Sequence, residues 1–443
     1  MKIYFDTIGC RLNQAEIERW AAQFLSNGYE IVSSAETADR VVVNTCTVTA
    51  AAASDSRGKI RNAARTGAKV AVTGCWSTLE PKSAAAMDGV SWVIPNLEKD
   101  DLPAVVSGMA IEDFDTEPIR RVILPGIHAR TRAFIKVQDG CDNHCTFCAT
   151  HLARGKARSV PKERVLRDVL GAAAADGKEI VLTGVNLGAW GLDLEPAEEL
   201  ADLIEFLLKE TDIPRIRLSS LESWNLSDRF LHLWENKRMC PHFHIPLQSG
   251  SKSVLHRMAR RTSPEEFRRL VLTAFEINPD FAITSDVIAG FPGETDAEFM
   301  ETLSFIQSLR FAGGHVFPYS KRPGTPAALL PNPIDRETRK QRAKVLRDEF
   351  EKQAYSFEER FIGTEQTVLW ESAKLLESGQ WEMHGLTPNY LTVSGVFDSP
   401  RRNELTRVIL TGRKADTHIL TSAAHPETAV LESTKISQIL KTP

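Results

Sequence analysis

Short strand-like runs alternate with amphipathic segments along the first part of the chain. The three apolar runs lie at 2–8, 41–45 and 69–73. The segments between them, around 13–27 and 50–65, repeat apolar positions every three or four residues, which predicts helices. This alternation of strands and helices is typical of βαβ units on a parallel sheet.

The same alternation continues through the middle of the chain. Strand-like runs recur six times, at 134–138, 179–184, 215–221, 243–248, 282–289 and 314–319. Amphipathic helical stretches lie between several of these runs, at 161–176, 264–276 and 296–309. Six βα repeats predict an incomplete (β/α)6 barrel. The charged stretch 335–361 has helical spacing and contains neither Pro nor Gly, which predicts one long helix that closes this region.

The pattern changes again after Gly363. Short β-rich runs within 365–422 are separated by turn residues, as expected of a small all-β barrel. Earlier in the chain, a polar and acidic stretch at 111–118 precedes the turn-forming pair Pro125-Gly126, which indicates a boundary. The predicted fold class is therefore α/β with three domains, at 1–124, 125–362 and 363–443.

Composition narrows the class of protein without naming a partner. The chain has 443 residues, of which 42% are hydrophobic and 25% are charged, and its net charge of −4 is small. This length predicts two or three domains with large cores. No apolar run approaches the roughly 20 residues that span a bilayer, and the start lacks a basic segment followed by an apolar one. We therefore expect a cytoplasmic protein with no membrane partner.

Cysteine residues carry the most specific chemical signal. There are seven, and an odd number in a reducing compartment favours metal binding or catalysis over disulfides. Cys141, Cys145 and Cys148 form a CxxxCxxC motif just after the first strand of the central repeats, where the ligand sites of barrels collect. An iron–sulfur cubane normally takes four thiolates, so three leave one iron open. That iron can bind S-adenosylmethionine (SAM), whose reductive cleavage releases a deoxyadenosyl radical.

Two other interpretations of this motif remain. The spacing i, i+4, i+7 also forms one stripe of a helix, which would make the three cysteines structural core residues. Gly140, Asp142, Asn143 and His144 argue against a buried helix. The other interpretation is a zinc site that uses His144 or His151, since three cysteines and one histidine are a known zinc ligand set.

A second trio, Cys10, Cys46 and Cys75, is widely spaced along the sequence. Each cysteine follows one of the three N-terminal strands, and the carboxyl ends of parallel strands share one edge of a sheet. We therefore predict a second cluster with an open iron at that edge, which can hold or supply a sulfur-containing group. The alternative is three separate core residues. Cys240 precedes another strand and has no other cysteine near it in the sequence, which favours a packing role.

Together these features resemble the methylthiotransferase family of radical SAM enzymes over nearly the whole chain. The CxxxCxxC motif alone indicates only the superfamily, and the N-terminal cysteine trio narrows it. Within the family, the branch that acts on N6-threonylcarbamoyladenosine in tRNA is the most similar. That similarity is carried by TIGCRLNQAE (7–16), PHFHIPLQSGSKSVLHRMARR (241–261), DVIAGFPGET (286–295) and HVFPYSKRPGTPA (315–327).

The resemblance implies a fold, an activity and cofactors. Its three parts would be an N-terminal methylthiotransferase domain, a radical SAM barrel and a C-terminal TRAM-like RNA-binding barrel. The implied enzyme replaces the C2 hydrogen of N6-threonylcarbamoyladenosine, beside the anticodon, with a methylthio group. It would use two [4Fe-4S] clusters, with SAM as both methyl donor and radical source. The implied partners are tRNA and an electron donor such as flavodoxin or ferredoxin, and the sulfur source stays open.

The same residues allow two alternative functions. One is methylthiolation of isopentenyladenosine in tRNA or of a ribosomal-protein aspartate. The other is a non-catalytic iron–sulfur or zinc RNA-binding protein, which would keep the cysteines without cleaving SAM.

Further residues complete the predicted site. Small or polar residues at the ends of barrel strands are expected, by analogy with radical SAM barrels, to approach SAM. These residues, together with a phenylalanine of the GFPGE stretch, are Thr183, Gly184, Ser220, Glu222, Gln248 and Phe291. Two basic groups are candidates to hold RNA phosphates, and they comprise Arg154, Lys156, Arg158, Arg257, Arg260 and Arg261. In the C-terminal barrel, the candidates to stack on bases are Trp381, His384 and Tyr390.

Overall fold

The computed structural model describes residues 1–110, 114 and 131–424. Two compact units make up the chain. The first unit consists of Met1–Asp176, Val181–Leu200 and Ser320–Leu329. The second unit consists of Gly177–Ile180, Ala201–Tyr319 and Leu330–Pro443. The predicted boundary at Pro125-Gly126 lies outside the described residues, as does most of the acidic stretch before it.

A five-stranded parallel sheet begins the first unit, with the strand order β2-β1-β3-β4-β5. Its strands are β1 (Lys2–Thr7), β2 (Glu30–Ile31), β3 (Arg40–Thr45), β4 (Lys69–Gly74) and β5 (Val90–Ile94). Its helices are α1 (Arg11–Ser26), α2 (Ala50–Ala64), α3 (Cys75–Leu79), α4 (Pro81–Ala85) and α5 (Leu102–Ser107). The predicted strands and helices are confirmed, and β2 and β5 add two edge strands beyond those predicted.

Both faces of this sheet are covered, because its central strands carry apolar residues on both sides. Phe5 on β1 packs with Phe24 of α1 on one face, and Val43 on β3 packs in a cluster with Ile60 of α2 on the other. Near-continuous apolar runs of this kind are typical of parallel strands buried on both sides. The register pairs Thr45 directly with Gly74, so β3 and β4 end side by side.

The rest of the first unit contains the start of the central repeats. Its elements are β6 (Ala133–Lys136), β7 (Gln138–Asp139), α6 (Thr150–Arg154), β8 (Arg158–Ser159) and α7 (Lys162–Ala174). Strand β9 (Glu179–Thr183) belongs to this unit from Val181 onward. The ends of β6 and β9 meet where the backbone N–H of Val137 donates to the carbonyl of Thr183 at 2.9 Å.

Four parallel strands continue the repeats in the second unit. These strands are β10 (Arg215–Leu218), β11 (His242–His244), β12 (Ala282–Ala289) and β13 (Gly313–Pro318). A parallel bridge between Ser220 and His244 continues β10 beside β11, which pairs with β12, which pairs with β13. The associated helices are α8 (Leu200–Glu210), α9 (Asp228–His232), α10 (Lys252–Arg257), α11 (Pro264–Ile277), α12 (Asp296–Gln307) and α13 (Arg336–Glu359). All six predicted central strands are therefore present.

Helix starts in this unit follow local sequence signals. Ser263 precedes α11 and Thr295 precedes α12, and each forms a capping box with a glutamate three residues later. Asp335 caps α13 by accepting two backbone N–H groups. Such caps pair donors that the first turn of a helix leaves unbonded. The predicted long helix is confirmed as α13. Across the described ranges, no helix combines the length and apolar character needed to cross a bilayer.

The residues after Gly363 form a closed five-stranded barrel, with the strand order β14-β15-β16-β18-β17. Its strands are β14 (Glu365–Leu375), β15 (Trp381–Leu386), β16 (Thr392–Phe397), β17 (Leu405–Arg413) and β18 (Ile419–Ala424). The buried Trp370 lies in its core and donates its indole N–H to Thr406 Oγ1 at 2.6 Å. The predicted all-β barrel is confirmed, and its assignment as TRAM-like stays a prediction.

Two arginines of β10 bind the backbone of this barrel. Arg215 donates to the carbonyls of Thr367 and Leu386, and Arg217 donates to those of Thr387 and Pro388. Arg217 also forms a fully buried ion pair with Glu179 at 2.6 Å. These contacts satisfy the charge of each guanidinium inside the second unit.

Candidate iron–sulfur sites

Three strand ends of the N-terminal sheet bring Cys10, Cys46 and Cys75 to one edge. Cys10 lies after β1 at the start of α1, Cys46 follows β3 directly, and Cys75 is the first residue of α3 after β4. Burial raises the pKa of the Cys46 thiol to about 11, and Cys10 and Cys75 raise it further. Thiols this close would repel one another as thiolates, whereas bonding to iron deprotonates a thiol and neutralises its charge. The arrangement therefore fits a metal cluster.

Glycines with positive φ set the chain direction immediately before three of the six cysteines. The φ angles are +100° at Gly9, +103° at Gly74 and +70° at Gly140. A Cβ on Gly9 would lie 2.5 Å from Cys46 Sγ, and one on Gly140 would lie 2.6 Å from the carbonyl carbon of Lys156. Only glycine tolerates both the backbone angle and the close approach. The loops at Cys10, Cys75 and Cys141 are therefore shaped by the glycine before each cysteine.

The CxxxCxxC residues lie in an irregular loop over 141–149, after which α6 begins. The interpretation of the three cysteines as a buried helical stripe is therefore wrong. Cys145 is buried, and the sulfurs of Cys141 and Cys148 each accept a backbone N–H at 3.4 Å, from Asn143 and Thr150 respectively. Hydrogen bonds to cysteine sulfur are one means by which proteins stabilise iron–sulfur clusters.

Sulfur spacing distinguishes a cluster from a single zinc ion. Zinc–sulfur bonds of about 2.3 Å in a tetrahedron place the thiolates roughly 3.8 Å apart. Among the described residues, three potential ligand atoms lie mutually within 4.8 Å at His244, Asp286 and His315, and neither cysteine trio is that compact. Each thiolate of a cubane binds a separate iron, which needs a wider spacing. The sulfur positions at the two trios therefore do not match a single tetrahedral zinc ion.

Unpaired polar atoms beside the CxxxCxxC loop also fit a bound group. Asn143 Nδ2 and His151 Nδ1 are buried and have no hydrogen-bond partner among the described atoms. Buried nitrogens of this kind are costly unless a further group binds them. All seven cysteines are free thiols, and Cys240 is buried in the second unit, 1% exposed.

A buried ion-pair network lies between the two cysteine trios of the first unit. Arg154 pairs with Glu16 at 3.1 Å and with Asp139 at 2.8 Å, and Lys99 pairs with Glu16 at 2.6 Å. Burial alone would raise the pKa of Glu16, but Lys99, Arg154 and Lys136 together lower it to about 2. Arg154 is only 1% exposed. The prediction that it holds an RNA phosphate is therefore wrong, because its charge is paired inside the protein.

Two other residues that were predicted to contact RNA, Arg260 and Tyr390, instead interact with side chains of the protein itself. The Arg260 side chain is 2% exposed and pairs with Glu222 at 2.5 Å, so it does not face solvent. The ring of Tyr390 stacks on His242 at 4.5 Å and lies 4.9 Å from the Arg217 guanidinium. The RNA roles predicted for Arg260 and Tyr390 are therefore wrong.

The remaining RNA candidates keep their predicted roles as predictions. Lys156, Arg158 and Arg261 are exposed, and Arg257 is partly exposed while it pairs with Glu298 at 2.9 Å. In the C-terminal barrel, the half-buried candidates are Trp381 and His384.

Two of the predicted SAM contacts lie close to the CxxxCxxC loop. Gln138 Oε1 accepts the backbone N–H groups of Val185 and Asn186, and its Nε2 donates to the carbonyl of Gly140. One side chain thereby joins the loop after Thr183 and Gly184 to the residue before Cys141. Asn186 Oδ1 is buried without a partner among the described residues, which makes it a further polar group available to a ligand.

The other four predicted SAM contacts lie in the second unit. Ser220 bridges to β11, and Glu222 pairs with Arg260. Gln248 has a φ of +68° and bridges to Val287 of β12. Phe291 is fully buried, which suits packing. Their roles toward SAM stay predictions.

Comparisons with known proteins identify the family. Residues 135–306 match the radical SAM superfamily, and residues 2–94 match the uncharacterized protein family UPF0004. A threonylcarbamoyladenosine tRNA methylthiotransferase, MtaB, from Thermotoga maritima is 36% identical to this chain, covering 86% of it and 90% of the relative. This chain belongs to the radical SAM methylthiotransferase family.

Other methylthiotransferases match over a similar length. The MtaB enzyme of Bacillus subtilis is 34% identical, covering 88% of this chain and 89% of the relative. A tRNA-2-methylthio-N(6)-dimethylallyladenosine synthase from Orientia tsutsugamushi is 32% identical, covering 83% and 87%. As a radical SAM methylthiotransferase, this chain uses SAM and [4Fe-4S] clusters, which favours an enzyme over a non-catalytic RNA-binding protein.

A solved structure confirms the fold class. The radical SAM methyltransferase TsrM from Kitasatospora setae, with cobalamin and a [4Fe-4S] cluster bound, superposes with a TM-score of 0.55 and 14% identity. The alignment covers 74% of this chain and 77% of that structure. At this identity the likeness concerns the fold alone.

Proposed function

We propose that this methylthiotransferase adds a methylthio group to C2 of N6-threonylcarbamoyladenosine in tRNA, beside the anticodon. The observation that carries the proposal is the presence of two separate cysteine trios in one compact unit, each suited to a cluster with an open iron. The threonylcarbamoyladenosine tRNA methylthiotransferases among the relatives support this choice of nucleoside. An enzyme with a tRNA substrate is expected to work in the cytoplasm.

The reaction explains why ordinary catalytic groups are not needed. The C2–H bond of adenosine offers no useful acidity and no leaving group, so general bases and nucleophiles have little to act on. A cluster held by Cys141, Cys145 and Cys148 supplies, when bound, the electron that cleaves SAM to methionine and a deoxyadenosyl radical. Cys10, Cys46 and Cys75 would hold the second cluster.

The chain's own residues bind and orient the reactants. Gln138 keeps the loop after β9, which begins with Gly184, against the residue before Cys141, and this loop is the proposed SAM contact. Cys46, Cys75 and Cys145 are buried, and their shielding from water would protect a carbon radical or a reactive sulfur from being quenched. SAM would be used twice, once as methyl donor and once as radical source, with a flavodoxin or ferredoxin as the electron donor.

Nucleoside mass spectrometry tests the substrate. The purified, cluster-loaded enzyme is given reductant, SAM, a sulfur source and tRNA that carries N6-threonylcarbamoyladenosine. We expect 2-methylthio-N6-threonylcarbamoyladenosine from the wild type, and none from Cys145→Ala or Cys46→Ala. Persistence of this nucleoside in cells that lack the gene, with no second enzyme present, would contradict the proposal.

Isopentenyladenosine in tRNA is the second candidate substrate, and the Orientia relative supports it. The same assay with tRNA carrying isopentenyladenosine separates the two, because the products differ in mass. A peptide containing the ribosomal-protein aspartate serves as a third substrate. In every case, 5′-deoxyadenosine must appear when the loaded, reduced protein meets SAM; its absence would contradict a radical SAM activity.

A further inference from the structure

Helix α6 begins two residues after Cys148, and its last residue, Arg154, reaches both cysteine loops of the first unit. On one side, Asp139 Oδ1 accepts both from Arg154 Nη1 at 2.8 Å and from the backbone N–H of Gly140 at 2.8 Å. Gly140 directly precedes Cys141. Arg154 is therefore linked through one carboxylate to the first ligand of the CxxxCxxC loop.

On the other side, Arg154 binds the N-terminal cysteine loops through Asn13. Arg154 Nη2 donates to Asn13 Oδ1 at 2.7 Å. The Nδ2 of the same asparagine donates to the carbonyls of Ile8 and Thr45 at 2.8 and 3.2 Å. Ile8 lies two residues before Cys10, and Thr45 directly precedes Cys46. One side chain therefore connects Arg154 to two of the three N-terminal cysteine loops.

The third N-terminal cysteine is connected to the same helix by Asn96. Its Nδ2 donates to the carbonyl of Ala153 at 2.8 Å and lies 3.7 Å from Cys75 Sγ. An amide donor of this kind remains compatible with a thiolate bound to iron. All three loops of the N-terminal trio are therefore linked to the last two residues of α6, through the side chains of Asn13 and Asn96.

Burial makes this connection stiff. Arg154, Asn13 and Glu16 are each less than 5% exposed, so no water competes for their hydrogen bonds. The planar guanidinium donates in fixed directions to three different partners, which a lysine ammonium reproduces only in part. Glu16 and Asp139 are also held by Lys99 and Lys136, so loss of Arg154 would leave the two carboxylates paired.

We propose that Arg154, acting through Asn13 and Asp139, is a positioning residue that sets the distance and orientation between the two cluster sites. The inference rests on the proposed function, in which a sulfur group held at one site must meet a carbon radical produced at the other. Reacting atoms must approach to about 3–3.5 Å, and a misplacement of about 1 Å can lower the rate by roughly 10²-fold. A stiff link between the two cysteine loops meets that requirement.

The test compares Arg154→Gln with Arg154→Lys in the full-length, cluster-loaded enzyme. Two quantities are measured: the magnetic interaction between the two reduced clusters by electron paramagnetic resonance, and the ratio of methylthiolated product to 5′-deoxyadenosine. For Arg154→Gln we expect a changed magnetic interaction and a product ratio lower by about 10- to 100-fold, with SAM cleavage retained. Arg154→Lys should restore part of both.

Arg217→Gln is the matched control, because it also removes a buried, ion-paired arginine, in the second unit. It should leave the magnetic interaction between the two clusters unchanged. If Arg154→Gln does not load its clusters, Asn13→Ala, which leaves the pairs of Arg154 with Glu16 and Asp139 in place, is expected to give the same two changes.

The proposal is overturned if the loaded Arg154→Gln and Asn13→Ala enzymes show the wild-type interaction and ratio, or if Arg217→Gln changes the magnetic interaction equally. If the wild type forms no methylthiolated nucleoside, the proposed function fails instead. The magnetic comparison then still decides whether Arg154 positions the two sites.

Discussion

Replacing Gly74 by alanine should remove the N-terminal cluster while leaving the CxxxCxxC site loaded. Gly74 has φ +103° and ψ −175°, a region that is almost exclusive to glycine and costs another residue about 1–3 kcal/mol. The new Cβ would also lie 2.5 Å from the backbone N of Thr45 and closer still to its carbonyl oxygen. Thr45 is the buried last residue of β3, the central strand of the sheet, so this overlap adds about 1–3 kcal/mol.

The combined cost is therefore about 2–6 kcal/mol in the free energy of unfolding, and any relief of the overlap moves Cys75 or Cys46. Urea denaturation and iron analysis of the reconstituted protein measure both effects. Iron should fall from about eight to about four atoms per chain. Gly67→Ala is the control, because Gly67 has φ +80° with nothing within 4 Å of the added Cβ, so strain alone should cost about 1–2 kcal/mol. Equal stability and full iron in both variants would refute the role assigned to the close approach.

Three further predictions concern other parts of the chain. Burial would raise the pKa of Asp286, but hydrogen bonds with His244 and His315 lower it from the ordinary 3.8 to about 2. Because its pKa is lower in the folded protein, the ionised Asp286 stabilises the fold by about 2 kcal/mol above about pH 4. This stabilisation is lost as the pH falls toward 2. Urea denaturation of cluster-free protein at a series of pH values should show this loss of stability in the wild type and not in Asp286→Asn. Arg217→Met should lower the free energy of unfolding by about 3 kcal/mol, because it leaves the buried Glu179 poorly paired. Adding Glu179→Met should recover most of that stability. Equal losses in the single and the double variant, measured by urea denaturation, would contradict this prediction. Cys240→Ala should keep the full iron content by the same analysis used for Gly74→Ala, and a loss of iron would show that Cys240 is a ligand.

Structural features that depend on a short stretch of sequence, such as the cysteine loops, could be predicted well. The cysteine loops follow apolar strand runs directly, and the rule that parallel strands end on one edge then brings Cys10, Cys46 and Cys75 together. Gly140 and the polar residues after Cys141 similarly argued against a buried helix, and no helix covers 141–149. The strand β2 could not be predicted, because two residues are too few to show a period.

Features that depend on distant partners could not be predicted. Arg154 lies in a basic stretch with Lys156 and Arg158, which is the usual pattern of a solvated or RNA-binding face. Its partner Glu16 lies 138 residues earlier, and only folding reveals the pair. The same holds for Arg260, whose partner Glu222 comes from a different strand end. A local pattern of charge does not distinguish a buried pair from an exposed patch.

The arginines of β10 have a consequence for how freely this enzyme can change its C-terminal barrel. Arg215 and Arg217 hold that barrel by four backbone carbonyls, at Thr367, Leu386, Thr387 and Pro388. Main-chain oxygens are present whatever the side chain, so substitutions at these positions preserve the attachment as long as the turn keeps its course. The outer surface of the barrel can therefore change in evolution while these four contacts to β10 are kept. Barrels exchanged between relatives should remain seated for the same reason.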